Sequence, residues 1–167
     1  MFRVIVADPP WQLSNKGTRA SAEDHYPTMS LEEIIALGPE VQSLALPDSI
    51  LFLWVVGSML EEALLVMRSW GFVPKQTFAW IKTEIGMGNY FRQCHELAIV
   101  GTRGKPAALV RNRSLRSFII HPRGEHSQKP ELAQDAIEKL IEGPYLELFA
   151  RRKREGWTVM GNEVEDV

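Results

Sequence analysis

The stretch FRVIVADPPW, residues 2–11, decides the fold that we expect for this chain. Its first six residues are mostly apolar and rich in β-branched side chains, which predicts a buried strand over Phe2–Ala7. The run ends abruptly in an acid, two prolines and an aromatic residue: Asp8, Pro9, Pro10 and Trp11. Because proline has no backbone N–H and restricts the residue before it, the strand stops there and a stiff turn follows.

Apolar runs and helical patterns alternate along the rest of the chain. Further strands are predicted at residues 50–56, 77–81, 97–100, 117–120, 145–150 and 157–160. Helices are predicted at residues 31–37, behind a capping box of Ser30 and Glu33, at 59–70, and from Pro130 onward. The last of these has a predicted core face of Leu132, Ala136 and Leu140, with Ala133 beside it. This alternation predicts an α/β domain with a mainly parallel sheet covered by helices on both faces.

Three polar residues follow predicted strands directly. They are Asp8, His121 and Arg151. In a parallel sheet, ligands bind beyond the carboxyl ends of the strands, so we expect these side chains near the functional site.

Composition restricts the class of protein. The 167 residues are 45% hydrophobic and 24% charged, which is ordinary for one globular domain spanning residues 1–167. No apolar run is long enough to cross a bilayer, and we expect no signal peptide and no membrane partner. The single cysteine, Cys94, excludes a disulfide framework and favours a cytoplasmic location.

The charge of the chain is unevenly distributed. Residues 101–130 contain seven basic residues and one acid, which gives +6 in a chain whose net charge is −2. A basic stretch on an acidic body is typical of a nucleic-acid contact, although a solvated loop has the same composition. If nucleic acid binds, Arg111, Arg113 and Arg116 are the candidate phosphate contacts.

The Asp8–Trp11 turn has a specific chemical character. Its two prolines donate no backbone hydrogen bond, so the turn offers only acceptors, followed at once by the flat face of Trp11. A planar base with an exocyclic amino group, such as adenine or cytosine, is the natural guest. Acceptors on both amino hydrogens favour a tetrahedral nitrogen whose lone pair can attack a methyl donor, so Asp8 needs to be ionised and correctly aimed. Stacking on Trp11 would hold the base.

Other interpretations of the same four residues remain open. A strand that ends in two prolines is often a simple stop, and a tryptophan beyond it is often part of the core. An acceptor-only turn also suits a guanidinium group or a polyamine.

The DPPW stretch and six further blocks, in order, resemble one known family. DPPW is the catalytic signature of methyltransferases that act on the amino group of adenine, and the wider pattern resembles the family named for the seventy-kilodalton subunit of the mRNA adenosine methyltransferase. The further blocks are HYPTMS (25–30), LFLWVVGSMLEEALLVMRSWGF (51–72), WIKT (80–83), CHELAIVGTRG (94–104), HSQKP (126–130) and LELFARRKREGWTVMGNE (146–163). Together they cover nearly the whole chain.

The resemblance implies a Rossmann-like, S-adenosylmethionine-dependent methyltransferase fold that is circularly permuted. The catalytic strand then comes first and the cofactor strand is 145–150, where the small Ala150 lets the backbone turn close to a ligand. Catalytic roles are implied for Asp8, Pro9, Pro10 and Trp11. Cofactor binding is implied for Asp8, Lys129, Phe149, Arg151, Asn162 and Glu163. Substrate binding is implied for Trp11, Tyr26 and Glu96.

One departure from the family pattern concerns the start of the chain. Relatives have a segment before the catalytic strand that helps to hold the cofactor's adenine, whereas here the strand begins at Phe2. We therefore expect a pocket that is open on this side, or closed by residues 163–167 or by another subunit. A homodimer or a partner subunit is left open on the same ground.

The function implied is methyl transfer from S-adenosylmethionine to the N6 amino group of adenine in nucleic acid, with DNA favoured over RNA because small free-standing relatives are bacterial or viral. The alternatives are an inactive nucleic-acid-binding partner of a methyltransferase and a small-molecule amino-group methyltransferase. A hydrolase built on His126 and Ser127 is disfavoured because adjacent residues rarely form a nucleophile–base pair. No metal site is expected, since the histidines match no zinc spacing and methyl transfer from a sulfonium needs no metal.

Overall fold

We describe a computed structural model of the chain at residues 1–13, 27–125 and 128–161. Its strands are β1 (Phe2–Ala7), β2 (Ala45–Val55), β3 (Val73–Ile81), β4 (His95–Arg103), β5 (Phe118–Ile120), β6 (Tyr145–Leu148) and β7 (Trp157–Met160). Its α-helices are α1 (Leu31–Ile35), α2 (Gly38–Leu44), α3 (Leu60–Ser69) and α4 (Glu131–Leu140), and two 3₁₀ helices lie at Gly57–Met59 and Pro106–Leu109.

The strands form one sheet in the order β5-β3-β4-β2-β1-β6-β7. Strand β1 pairs in parallel with β2 and β6, and the outer pairs β6–β7 and β3–β5 are also parallel. Strand β4 runs antiparallel to both of its neighbours. The sheet is therefore mainly parallel, as predicted, and the first strand of the chain lies inside it beside the late strand β6.

Helices cover both faces of the sheet. Along β1, Ile5 and Ala7 join a buried cluster that also contains Met67 of α3, while Val4 and Val6 join a second cluster that contains Ile137 of α4. The first cluster includes buried residues of α1, α2 and α3, and the second packs under α4. The two-sided α/β architecture predicted from the alternating pattern is confirmed.

Several element boundaries differ from the predictions. Strand β2 begins at Ala45, five residues before the predicted start, and α2 follows α1 where Gly38-Pro39 was expected only to end a helix. Pro39 instead occupies the first turn of α2, where a missing N–H costs nothing. On α4 the buried face is Ala133, Gln134 and Ile137, whereas Leu132 of the predicted face is 37% exposed.

The geometry of the sheet defines one functional edge. The parallel strands β1, β2, β3, β5, β6 and β7 end at the same edge, and the antiparallel β4 begins there. We call this the carboxyl edge, and the opposite one the amino edge. Asp8, His121 and Arg151 follow β1, β5 and the β6 turn, so the predicted convergence at the carboxyl edge is correct in topology.

Candidate active site

The turn after β1 is tied to the segment that leads into α1. The Pro9 carbonyl accepts a hydrogen bond from the Trp11 N–H at 2.9 Å, and the Pro10 carbonyl accepts one from the Met29 N–H at 2.9 Å. The two proline carbonyls are therefore partly engaged within the protein. The Asp8 side chain, one-fifth exposed, is the acceptor that the turn presents to the carboxyl edge.

Trp11 belongs to the core beneath this turn. Its ring is only 7% exposed, lies in the cluster on the α1–α3 face, and donates its indole N–H to the Trp54 carbonyl at 3.1 Å. Little of its ring face is free for a base. This placement favours the core interpretation of Trp11, and its stacking on substrate stays a prediction.

Four charged side chains alternate in sign across the carboxyl edge. The Lys129 ammonium lies 3.0 Å from the Asp8 carboxylate and 3.0 Å from the Glu96 carboxylate. The other Glu96 oxygen lies 2.7 Å from the Lys82 ammonium. Asp8, Lys129 and Glu96 are thus brought together as the sequence predicted, and Lys82 joins them although sequence reasoning did not single it out.

This network fixes the charge of its central members. Burial alone would lower the pKa of Lys129, but the Asp8 and Glu96 carboxylates outweigh it and raise the pKa above its usual value. Burial would raise the pKa of Glu96, but Lys129 and Lys82 lower it overall. Lys129 is therefore a cation and Glu96 an anion at neutral pH.

Each lysine of the network also lies over a tryptophan. The Lys129 ammonium is 5.4 Å from the Trp54 ring centre, and the Lys82 ammonium is 5.0 Å from the Trp80 ring centre. Trp80 is itself fixed, because its indole N–H donates to the His121 carbonyl at 2.8 Å. Such cation–π contacts hold ammonium groups in place. Both tryptophans stand in blocks that the sequence analysis quoted, Trp54 in LFLW and Trp80 in WIKT. Only the pairing of the strands shows which lysine lies over which ring.

A shallow pocket opens beside Asp8. Its lining residues are Asp8, Gln128, Lys129, Glu147, Phe149, Arg151 and Arg152. Of the predicted cofactor residues, Asp8, Lys129, Phe149 and Arg151 therefore share one cavity. Arg152 fixes the wall of this pocket, since its guanidinium donates to the Lys129 carbonyl at 2.7 Å.

Glu147 is a member of this pocket that sequence reasoning missed. It is the third residue of β6, and burial raises the pKa of its carboxyl to about 7, with Arg152 opposing and the Asp8 charge adding to the shift. Its side chain accepts a hydrogen bond from Gln134 at 2.8 Å. The buried Gln134 carbonyl oxygen has no hydrogen-bond partner. An acid within an otherwise apolar strand is the only signal that the sequence offers for this residue.

The turn after β6 is strained and closely packed. Phe149 has a φ of +60°, a conformation that non-glycine residues rarely adopt and that often marks a functional turn. A side chain at Gly161 would clash with the backbone N and O atoms of Ala150. Ala150 is 1% exposed, and its N–H donates to the Met160 carbonyl. These contacts involve the Ala150 backbone, and the close ligand approach that the sequence suggested for this small residue stays a prediction.

The basic segment 101–130 does not form one track. The Arg111 N–H donates to the Leu140 carbonyl and its guanidinium to the Glu138 carbonyl, at the carboxyl end of α4, whereas Lys129 precedes the amino end. A helix of 10 residues separates the two ends by about 15 Å. The Arg113 guanidinium donates to the Ala107 carbonyl. The cations of the segment are thus distributed between two edges of the sheet.

Arg116 also lies away from the Asp8 network. It is exposed and precedes β5, whose first residue pairs with Ala79 inside β3 rather than with the end of that strand. The structure does not test the phosphate contacts that the sequence predicts for Arg111, Arg113 and Arg116, but positions away from Asp8 argue against a large contribution to binding.

Five predicted residues fall outside the described ranges. They are Tyr26, Asn162 and Glu163, whose assigned roles stay predictions, and His126 and Ser127, for which a hydrolase role was disfavoured. Within residues 1–13, 27–125 and 128–161, no group of three or more His, Cys, Asp or Glu side chains is placed to hold a metal ion. In the same ranges no helix has the length and apolar character needed to cross a membrane.

The residues of this pocket fit S-adenosylmethionine. The cofactor combines a carboxylate, an ammonium, a sulfonium and ribose hydroxyls, so its site needs both cations and anions. The pocket provides Lys129, Arg151 and Arg152 beside Asp8 and Glu147. Glu147, whose carboxyl is held by Gln134, is placed to accept hydrogen bonds from ribose hydroxyls.

Comparison with known proteins identifies the family of this chain. The MT-A70 family model matches residues 2–163. Type II methyltransferase M.MunI of Mycoplasma sp is 33% identical over 99% of this chain and 78% of its own length. N(6)-adenine-specific methyltransferase METTL4 of Homo sapiens is 32% identical over 98% of this chain and 37% of its own length. N(6)-adenosine-methyltransferase subunit METTL3 of Danio rerio is 28% identical over 99% of the chain and 28% of its own length.

The match to the family model extends over nearly all of the chain, from β1 through β7, and so includes the Asp8 turn, Lys129 and the β6 turn. The chain spans most of M.MunI but well under half of the two animal relatives. It belongs to the MT-A70 family of S-adenosylmethionine-dependent N6-adenine methyltransferases.

Proposed function

We propose that this chain methylates the N6 amino group of adenine in nucleic acid, and that its substrate is DNA rather than RNA. The observation that supports the proposal most strongly is the position of Asp8. It follows the central strand β1, lies on an acceptor-rich turn, and faces a pocket that suits S-adenosylmethionine. DNA is supported by the similarity to M.MunI, of which this chain spans 78%, whereas it spans only 28% of METTL3, which is named for adenosine.

Asp8 is the proposed catalytic residue. Its carboxylate accepts a hydrogen bond from the amino group of the target adenine and so aims the nitrogen lone pair at the methyl donor. When bound, S-adenosylmethionine supplies a methyl group on a positively charged sulfur. As the N–CH3 bond forms and the S–CH3 bond breaks, the amino group loses one proton, which the Asp8 carboxylate can accept before passing it to water. Pro9 and Pro10 add stiffness, because their rings fix the backbone around this carboxylate.

Lys129 and Glu96 position that carboxylate. The Lys129 ammonium lies between Asp8 and Glu96, and the Trp54 ring beneath it restricts its movement. We infer that Lys129 also binds the carboxylate or ribose of the cofactor, and that Glu147 accepts hydrogen bonds from its hydroxyls. Asn162, Glu163 and Tyr26 keep their predicted roles in holding cofactor and base.

The remaining predicted contacts keep narrower roles in the proposal. Arg151 and Phe149 form the wall of the cofactor pocket, and Glu96, paired with Lys129, keeps its predicted role on the substrate side of the site. Self-association or a partner subunit is part of the proposal too, since one relative is named as a subunit and another, from Arabidopsis thaliana, as a non-catalytic subunit.

The substrate class can be tested directly. Purified protein is given methyl-labelled S-adenosylmethionine with matched single-stranded DNA, duplex DNA and RNA that contain the same adenine contexts. We expect label in N6-methyladenine of the DNA substrates, and most in single strands, because the base must leave its stack to reach Asp8. Label in RNA alone would overturn the choice of DNA. Cofactor binding without label in any substrate would favour an inactive partner.

A further inference from the structure

The loop between β3 and β4, residues 82–94, has an unusual number of large apolar side chains that are exposed to solvent. Ile85 is 79% exposed, Met87 88%, Tyr90 94% and Phe91 91%. Single exposed apolar residues are ordinary, but four large ones within seven positions are not, and such a patch marks an interaction site. Nothing in the active site described above uses these four residues.

The loop is held at its base and stabilised internally. The Lys82 N–H donates to the Cys94 carbonyl at 2.7 Å, which closes the base of the loop. The Arg92 guanidinium donates to the Gly88 carbonyl at 2.9 Å, and the Gln93 side chain donates to the His95 carbonyl at 2.8 Å. Within the loop, a side chain at Gly88 would clash with the Phe91 carbonyl. The backbone is therefore packed on itself while the apolar side chains point into solvent.

The loop projects from the carboxyl edge, next to the active site. It begins at Lys82 and ends one residue before His95, and Lys82 and Glu96 are both members of the charged network that contains Asp8. The Arg123 N–H donates to the Glu84 carboxylate at 3.0 Å, so the segment after β5 packs beside it. A strand whose target base reaches Asp8 would pass this loop.

The charge around the loop identifies the kind of partner. Glu84, the acid in residues 82–94, accepts the Arg123 N–H, which lowers its pKa. Arg92 follows the aromatic pair directly in sequence, and the Arg123 guanidinium approaches Gly86 of the same loop. Aromatic rings beside arginines are the combination that binds single-stranded nucleic acid, by stacking on bases and attracting phosphates.

We propose that Tyr90 and Phe91 stack on the bases next to the target adenine, and that Ile85 and Met87 fill the space from which that base is removed. The inference rests on the proposed function and adds the residues that hold the substrate. Apolar side chains that insert between bases are a common means of keeping a nucleotide out of its stack. This role is separate from the contact with the target base that the sequence predicts for Trp11.

The test measures binding as a function of salt. A labelled single-stranded oligodeoxynucleotide with one adenine is titrated by fluorescence anisotropy at several NaCl concentrations. The variant Tyr90→Ala/Phe91→Ala should weaken binding at least about tenfold at every salt concentration, because each stacked base contributes substantially. The slope of log Kd against log salt should stay unchanged, because no phosphate contact is lost. Tyr90→Phe, which keeps the ring, should bind like the wild type.

Two controls separate this idea from others. Leu65→Ala removes a half-exposed apolar side chain from α3 and should leave binding unchanged. Calorimetry with S-adenosylhomocysteine should give the same affinity for the Tyr90→Ala/Phe91→Ala variant and the wild type, which shows an intact fold and pocket.

Each other result has a defined meaning. If the wild type binds and methylates DNA and the Tyr90→Ala/Phe91→Ala variant does so equally well, the stacking role is wrong while the proposed function stands. If that variant keeps its DNA affinity but loses a dimer seen by sedimentation, the loop is a protein interface and the inference is overturned. If the wild type binds no polynucleotide at all, the proposed function fails with it.

Discussion

At the scale of single residues, the pKa of Glu147 depends on burial that only the structure shows, and it can be tested by experiment. Burial raises the pKa of its carboxyl to about 7, against 4.5 for an unburied glutamate. The folded protein therefore holds a proton on Glu147 at pH values where the unfolded chain has released it. Ionisation of Glu147 therefore lowers the stability of the ligand-free protein. A ligand that donates hydrogen bonds to the carboxylate would offset this loss.

The raised pKa of Glu147 determines whether the unfolding free energy rises or falls with pH. Between about pH 4.5 and 7 the folded state binds more protons at this site than the unfolded state, so the unfolding free energy falls as the pH rises. Glu147→Gln removes this loss. We expect the variant to be more stable than the wild type by about 1–3 kcal/mol at pH 8 and by much less at pH 5. Urea denaturation of the ligand-free proteins at both pH values measures the difference.

The matched control is Glu61→Gln, an exposed glutamate on α3, which should change stability little at either pH. The same stability difference for Glu147→Gln at pH 5 and pH 8 would show that the Glu147 carboxyl titrates normally in the folded protein.

At this scale, part of the site was predictable. Asp8 and Lys129 stand beside prolines in short, conspicuous motifs, and the structure joins their side chains by an ion pair. Trp11 stands in the same motif as Asp8, but its environment depends on β2, whose Trp54 carbonyl accepts the indole N–H. No local pattern contains that information, because the two residues are 43 positions apart.

At the scale of elements, the arginines that precede β5 show how far local charge can mislead. A count along the chain places them in one basic segment with Lys129. The fold places α4 between them, so that Arg111 binds the carbonyl groups at the far end of that helix. Arg111 and Lys129 belong to one basic segment of the sequence, but they lie near opposite ends of α4 and therefore near opposite edges of the sheet.

The corresponding prediction concerns Arg111, Arg113 and Arg116. Changing all three to alanine should alter kcat/KM for an oligonucleotide by less than about threefold and leave the salt slope of binding nearly unchanged, because the slope reports phosphate contacts. Arg92→Ala combined with Arg123→Ala should lower the slope by about one unit per lost contact. Steady-state kinetics and binding across a salt series make the comparison.

A large loss of affinity and slope in the Arg111, Arg113 and Arg116 variant, with none in the Arg92 and Arg123 variant, would mean that nucleic acid follows α4 to the amino edge. The path past the β3–β4 loop would then be wrong.

The elements themselves were largely predictable, and the exceptions have physical reasons. The apolar runs predicted every strand, but not the reversed direction of β4, because direction is set by pairing with β2 and β3 rather than by composition. Helix α2 was missed because Gly38-Pro39 resembles a stop. In the structure Gly38 is buried against the Ser69 carbonyl, where a larger residue would not fit, and Pro39 begins the new helix.

At the scale of the whole molecule, the sheet order explains why the site is scattered in sequence. Strand β1 lies between β2 and β6, and this arrangement brings Asp8 beside residues 129 and 147. Because β4 is antiparallel to its neighbours, its beginning rather than its end lies at this edge, and Glu96 stands at that beginning. The fold class was predictable from the alternation of elements, whereas the permuted order came from the family resemblance and not from periodicity.

The central claim is that Asp8 of this fold directs methyl transfer to the adenine amino group. The most direct test is mass spectrometry of nucleosides from DNA incubated with S-adenosylmethionine and either the wild type or Asp8→Asn. The variant keeps the size of the side chain but places an amide donor where the amino group needs an acceptor. We predict N6-methyladenine with the wild type, and with Asp8→Asn at least a tenfold lower rate, about 1.4 kcal/mol in the barrier, with the fold retained. N6-methyladenine formed by Asp8→Asn at the wild-type rate would contradict the claim.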